Sequence, residues 1–282
     1  GSPGAGGIGV TGANLTIINS GSIAGGLSGD GVTQADAILF TAGTNVLQVQ
    51  AGSSITGNVV AYSTADTFAL GGATNASFDV STIGSQYLGF GIYEKTGTST
   101  WTLTGTTTAV TPWTINQGTL AVSADANLGA ASGGLTFGGG TLQFLSGFTS
   151  ARTITLNAGG GTFDTDGNSA TLSGAIGGSG NLTVANSASG GALTLTNSGN
   201  SYAGATTINS GATLALSGAD FGYFLPLLAW LVPGQFGLAM PAALMVALLF
   251  FVGRLDARVE LEAMLDSGIS FLRARKSDVE GK

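Results

Sequence analysis

The chain of 282 residues contains no cysteine and no histidine. The first absence excludes a disulfide framework, a thiol nucleophile and a thiolate metal site. The second removes the commonest general base and zinc ligand. Charge is scarce as well. Charged residues make up 8% of the chain, and residues 1–219 hold eight acids against two bases, Lys95 and Arg152, a net charge of −6. Two cations over that length cannot neutralise a phosphate backbone, so nucleic-acid binding is excluded. Residues 220–282 hold seven acids and six bases, a net charge of −1. Lack of cysteine fits a chain secreted without disulfide formation. The first residue is Gly rather than Met and no charged-then-apolar leader precedes it, so a fragment with its targeting segment upstream is the expectation.

What the chain has in quantity is glycine, 49 residues, set among Ser, Thr, Asn and Ala. Such a composition reads as disorder only when β-branched and aromatic residues are missing. Here Val, Ile, Leu, Thr and Phe recur at alternate positions, which reads as folded β structure. Trp101-Thr-Leu-Thr104, Leu182-Thr-Val184 and Leu193-Thr-Leu-Thr196 alternate with a period of two, apolar residues on one face and Thr on the other. One corner recurs between such runs: Ile18-Asn-Ser-Gly-Ser-Ile23, Val49-Gln-Ala-Gly-Ser-Ser-Ile55, Ile115-Asn-Gln-Gly-Thr-Leu120 and Ile208-Asn-Ser-Gly-Ala-Thr-Leu214. Asn and Gly tolerate the left-handed backbone that a sharp corner demands.

Two longer units overlay. Glu94-Lys-Thr-Gly97, Trp101-Thr-Leu-Thr-Gly105 and Trp113-Thr-Ile-Asn-Gln-Gly-Thr-Leu-Ala-Val-Ser123 parallel Gly190-Gly-Ala-Leu-Thr-Leu-Thr-Asn197, Tyr202 and Thr207-Ile-Asn-Ser-Gly-Ala-Thr-Leu-Ala-Leu-Ser217. These stretches resemble the autotransporter-associated β-strand repeat of Gram-negative autotransporter passenger domains. Gly180-Asn-Leu-Thr-Val184, Asn200-Ser-Tyr-Ala-Gly204 and the stretch from Thr207 to Leu216 match its pattern best. The resemblance runs over about residues 10–217 and is strongest from Glu94 onward. It implies an all-β fold, a right-handed parallel β-helix or solenoid. Stacked coils then bury alternate residues in one shared core, and ~20 residues per coil predict about ten coils and a rod of about 50 Å. Periodicity alone leaves an antiparallel sandwich or barrel open, since it fixes strands but not their pairing.

No constellation of reactive side chains stands out, so no catalytic, cofactor-binding or metal residue is assigned. Asp164-Thr-Asp-Gly-Asn168 begins like a calcium loop, but residues 169–180 supply no closing acid, and a plain Asp-Gly turn is the stronger reading. Asp30, Asp36, Asp66 and Asp79 are the other acids before Glu94. A glycan-cleaving β-helix would need two such carboxylates in one groove, and solvated loop acids are the simpler expectation. Glu94 and Lys95 are adjacent on a strand and face opposite ways. Trp101, Trp113, Tyr87 and Tyr202 could form a sugar-stacking surface, although aromatic residues at alternate strand positions are more often core.

Residues 220–253 differ in kind. Phe221 to Gly253 is thirty-three residues without a charge, longer than the ~20 a helix needs to cross a bilayer. Pro226, Pro233 and Pro241 interrupt it, so an interfacial or re-entrant piece over 221–232 and a crossing over about 235–252 are expected, with Tyr223 and Trp230 at the interface. Arg254, Arg258, Arg273, Arg275 and Lys276 follow, which puts the C-terminus in the cytoplasm and the β body outside. Leu255, Val259, Met264, Leu265, Ile269 and Leu272 make a loose apolar stripe, so residues 254–282 read as an amphipathic charged helix and tail. Autotransporters end instead in a barrel of alternating ten-residue strands, a pattern not found here. No family is recognised in this tail. Two readings stay open: an inner-membrane-anchored β-helix, or two reading frames joined by frameshift or assembly error.

The function expected is that of a non-enzymatic, surface-exposed stalk for adhesion or display, at the cell surface, outer membrane or secreted. Its partner would be a cell-surface glycan or protein, with the membrane engaged through 221–253. A polysaccharide-cleaving β-helix and an inner-membrane protein with an active tail are the alternatives.

Overall fold

The computed structural model describes residues 4–217. The expectations for residues 220–282, including the helical membrane-type tail, fall outside the described residues. Among those described, no helix is long and apolar enough to cross a membrane.

Every strand pairing between named strands is parallel, and the chain winds into a β-solenoid of about eight coils. Each coil visits up to three faces. The second face is the longest, an eight-stranded sheet: β1 (Thr16–Asn19), β2 (Val46–Val49), β3 (Thr67–Leu70), β4 (Ile92–Lys95), β5 (Trp113–Ile115), β6 (Leu135–Phe137), β7 (Ile154–Leu156) and β8 (Ile176–Gly178). The third face carries seven strands: β9 (Ala76–Asp79), β10 (Thr100–Thr104), β11 (Thr119–Val122), β12 (Thr141–Phe144), β13 (Gly161–Asp164), β14 (Leu182–Ala185) and β15 (Thr206–Ile208). Two four-stranded sheets make the first face at either end, from Val10–Ala13 to Tyr87–Leu88 and from Thr149–Ser150 to Leu214–Leu216.

Ten coils were expected and about eight are found, because the coils are longer than ~20 residues. Thr16 pairs with Val46 across an excursion over residues 25–37, whose own antiparallel bridge joins Leu27 to Gln34. Eight strands spaced ~4.8 Å apart give a second face about 34 Å long.

Register explains why this composition suffices for a core. Inward ladders run Leu47, Phe68, Tyr93, Trp113 on the second face and Trp101, Leu120, Leu142, Phe163, Val184 on the third, and all nine are buried. Each short strand has one apolar face and is unstable alone. Stacking in register gives inward residues, except those of the end coils, a neighbour above and below. The rings meet in tilted and edge-on contacts, Phe68 with Phe78 and Tyr87 at 5.0 Å, Tyr93 with Trp113 at 5.5 Å and Phe137 with Phe163 at 4.9 Å, the geometry that ring quadrupoles favour. Gly161 lies on the inward side where a Cβ would meet the Phe137 ring at 2.6 Å, so the phenyl takes the space that glycine leaves.

Candidate functional surface

Both cations of the body are inside. Lys95 alternates with Tyr93 along β4 and sits within an inward ladder, Val49, Leu70, Lys95, Ile115, Phe137, Leu156; its exposure is 0%. Its Nζ donates to the carbonyls of Thr96 at 2.7 Å, Gly97 at 2.9 Å and Gln117 at 3.1 Å. Burial holds the ammonium down, to about 8. The three carbonyls satisfy its three donors, so a charge that would be costly in an apolar core is retained at a corner. Gly118, at φ 63°, closes that corner; a Cβ there would lie 2.7 Å from Nζ.

Arg152 is the other buried cation. Nε and one terminal nitrogen grip the Asp125 carboxylate at 2.9 and 3.0 Å, and the terminal nitrogens also donate, one N–H being shared, to the carbonyls of Asp125, Gly129, Ala130 and Gly133 at 2.7 to 3.0 Å. The first face has no strand between Leu88 and Thr149. A 3-10 turn, Asp125–Leu128, and the segment after it take that part of the chain, and the guanidinium ties both to the next coil. Its planar fork suits this task as a lysine would not.

The acids are likewise spent on backbone. Asp66 is fully buried, accepting from Asn45 N at 2.8 Å, Asn45 Nδ2 at 3.0 Å and Tyr62 N at 2.7 Å. Asp79 caps a 3-10 turn by accepting from Ser81 N at 2.9 Å, and its carboxyl is held low by Ser81. Asp30, in the 25–37 excursion, accepts from Ser28 Oγ and Val32 N. Asp36 is half-buried. Glu94 faces outward beside inward Lys95. In the Asp164–Asn168 stretch, the Asp164 carboxylate accepts from Asp166 N at 3.1 Å, Ser187 N at 2.8 Å and Gln143 Nε2 at 3.0 Å. Burial pushes the Asp164 carboxyl up, and the donors from Ser187, Asp166 and Gln143 outweigh it, leaving a net downward shift. Asp166, at φ 46°, and Gly167, at φ 79°, make the left-handed step of a turn. Among the described residues no group of three acids could hold a metal ion.

The aromatic residues lie in the core. Trp101, Trp113 and Tyr87 are buried and Tyr202 is half-buried against the same cluster. The Trp101 indole donates to Gly71 O at 3.0 Å, whereas Trp113 Nε1 is the one buried side-chain polar atom without a partner among the described residues. No sugar-stacking surface is formed by these four.

What the third face presents outward is a line of threonines: Thr100, Thr119, Thr141, Thr162, Thr183 and Thr207 are partners in successive strands. They form an uncharged ladder of hydroxyl and methyl groups repeating every ~4.8 Å. A shorter ladder, Thr149, Thr171 and Thr194, lies on the first face.

Comparison with known proteins agrees with this architecture. The passenger-associated-transport-repeat matches twice, at residues 94–122 and 188–216, the two units that overlay in the sequence. The chain is 38% identical over 108 residues to the adhesin BmaC autotransporter of Brucella suis, a match covering 38% of this chain and 3% of that protein. The chain thus spans a small fraction of the length of the curated relative it matches. Residues 212–274 are similar to a second family, the lipopolysaccharide export system permease LptF/LptG. No solved structure matches.

Proposed function

We propose that residues 10–217 are part of a non-enzymatic, surface-displayed stalk, a right-handed β-helical passenger segment that adheres through its outer face to a neutral partner, a cell-surface glycan or protein. Right-handed winding follows from the strong preference of parallel crossovers in one sheet. The observation that carries the reading is the six-threonine ladder on a body whose two cations are both buried. Hydroxyls on a rigid, repeating scaffold can hydrogen-bond a repeating polar partner, and no positive patch is left to attract an anionic one. Similarity to an adhesin supports adhesion as the use of that face.

The test is binding of the labelled full chain, in detergent, to cultured cells and immobilised glycans. Replacing Thr141, Thr162 and Thr183 together by Val keeps shape and removes hydroxyls, and is expected to abolish binding with the circular dichroism unchanged. Undiminished binding by that variant refutes the ladder as the contact, and saturable polysaccharide hydrolysis by the wild type refutes the non-enzymatic assignment.

A second reading is favoured by the permease similarity of residues 212–274. It makes residues 221–253 an inner-membrane anchor with the body outside the cytoplasm, or else the remnant of a joined reading frame. Single-molecule DNA reads across the codons for Gly218 to Phe221 decide between them: an unbroken frame in every read supports the anchor, and a break refutes it.

A further inference from the structure

Three asparagines stand in the Asn-x-Ser/Thr pattern: Asn14-Leu-Thr16, Asn75-Ala-Ser77 and Asn181-Leu-Thr183. In a chain this rich in Asn, Ser and Thr the pattern by itself says little. Their placement says more. Each asparagine immediately precedes or adjoins a strand of the solenoid, and each is exposed. The middle residue turns inward: Leu182 is fully buried, and Leu15 and Ala76 are packed on the core. At Asn75 and Asn181 strand alternation therefore puts the asparagine and the hydroxyl residue on the same, outer side, and Asn14, in the corner at φ 54°, is exposed as Thr16 is.

The amide groups are also oriented alike. Asn14 Oδ1 accepts from Thr44 N at 3.2 Å, Asn75 Oδ1 from Thr100 N at 2.8 Å and Asn181 Oδ1 from Ala205 N at 2.8 Å. A backbone N–H of the neighbouring coil fixes which end of each amide is oxygen, and so leaves Nδ2 on the free end. Among the described residues none of these three Nδ2 groups donates a hydrogen bond. Asparagines whose Nδ2 is engaged behave differently: Asn19, Asn45, Asn127, Asn168, Asn186 and Asn197 all donate through it, and none of them is followed by the pattern.

We propose that Asn14, Asn75 and Asn181 are acceptor sites for N-linked sugar on the folded passenger. The donor is a glycosyl diphosphate presented by an N-glycosyltransferase. Nδ2 attacks the anomeric carbon, the N–C bond forms as the bond from that carbon to the diphosphate oxygen breaks, and the diphosphate leaves with the electron pair. Nδ2 gives up one proton to the transferase, and no oxidation or reduction is involved. The three sites lie at coil corners away from the inward ladders, so a sugar at each extends into solvent without disturbing the core.

The experiment uses the folded full chain in detergent and intact-mass measurement with peptide mapping. One arm supplies UDP-glucose and a soluble N-glucosyltransferase, the other a polyprenyl-diphosphate oligosaccharide and a membrane oligosaccharyltransferase. The expected result is three additions in at least one arm, which also identifies the donor. Thr16→Ala, Ser77→Ala and Thr183→Ala each remove one addition while keeping the asparagine and its Oδ1 bond, and Thr183→Ser restores it. Ala188→Thr places the pattern after Asn186, whose Nδ2 donates to Gly190 O and Gly211 O; modification there is expected to be at least tenfold slower. No addition in either arm overturns the sites, and equal rates at Asn186 and the native three overturn the geometric basis for them.

Discussion

The two copies of the repeat, residues 94–122 and 188–216, share a sequence pattern but not a place in the solenoid. In the first, the corner Ile115 to Thr119 joins the second face to the third; in the second, the corner Ile208 to Leu214 joins the third face to the first. Yet each copy performs the same act. It starts on a strand, completes a coil and returns one level up, Trp101 beneath Leu120 in the first and Leu193 beneath Leu214 in the second. The repeat therefore specifies one turn of the solenoid and not a particular face. Burial differs too. Trp101, Trp113, Ile115, Leu120 and Val122 are inside, with coils on both sides, whereas Ile208, Leu214 and Leu216 are half-buried at the last described coil. What a repeat contributes to stability is set by its neighbours, as a one-dimensional stack requires.

Truncation of inward residues tests that difference most strongly. Trp113→Ala leaves a cavity between Tyr93 and the next coil and is expected to cost about 3–5 kcal/mol, against about 1 kcal/mol for Leu214→Ala; denaturant titration of both variants measures the gap, and equal losses contradict the neighbour argument. The corner glycines give a smaller contrast. Both have positive φ, 63° at Gly118 and 82° at Gly211. A Cβ on Gly118 meets Gly97 O at 2.5 Å and Lys95 Nζ at 2.7 Å, and one on Gly211 meets nothing within 4 Å. Gly118→Ala is expected to lose about 3 kcal/mol and Gly211→Ala about 1 kcal/mol, the latter from backbone strain alone.

The parallel solenoid was legible because the repeat carries it, and the corners at Ile18, Val49, Ile115 and Ile208 each do join consecutive strands. Coil number was less so. Alternation marks strands but not insertions, and the Gly25–Ala37 excursion is glycine-rich like the coils around it. Neither was the interior position of both cations read out. For Lys95 a signal existed: it shares the alternation of Tyr93 with the inward set, which a charged residue ordinarily leaves. For Arg152 there was none, because its partners lie 19 to 27 residues away and belong to an irregular segment.

Removing the Arg152 clamp tests what the segment that follows the first copy owes to the next coil. Arg152→Met deprives Asp125 and four carbonyls of their donors. Asp125 is 24% exposed, so water replaces part of what is lost, and a cost of about 2–3 kcal/mol is expected. A double-mutant cycle with Asp125→Asn isolates the ion pair. A coupling near zero assigns the clamp to the carbonyl bonds alone.

The smallest effect depends on pH, and it separates the copies by chemistry, since residues 188–216 contain no lysine. Lys95 releases its proton at about 8 in the folded protein because of burial, against 10.5 ordinarily. Between those values the unfolded chain binds the extra proton, so stability rises as pH increases through the window. Burial also pushes Tyr93 up to about 12 from 10.0; above pH 10 the folded state binds more protons than the unfolded one, and stability falls. Midpoints of urea unfolding are thus expected to climb from pH 8 to a maximum near pH 10, a gain of roughly 1–2 kcal/mol, and then decline. The gain stays below the full shift because the folded lysine is still about half protonated at pH 8 and the climb ends before the unfolded lysine has lost its proton. Lys95→Met abolishes the climb and leaves the decline. A wild type with a flat profile from pH 8 to 10 means that the carbonyl cage offsets burial completely, and the lysine is then neutral in its effect on the first copy.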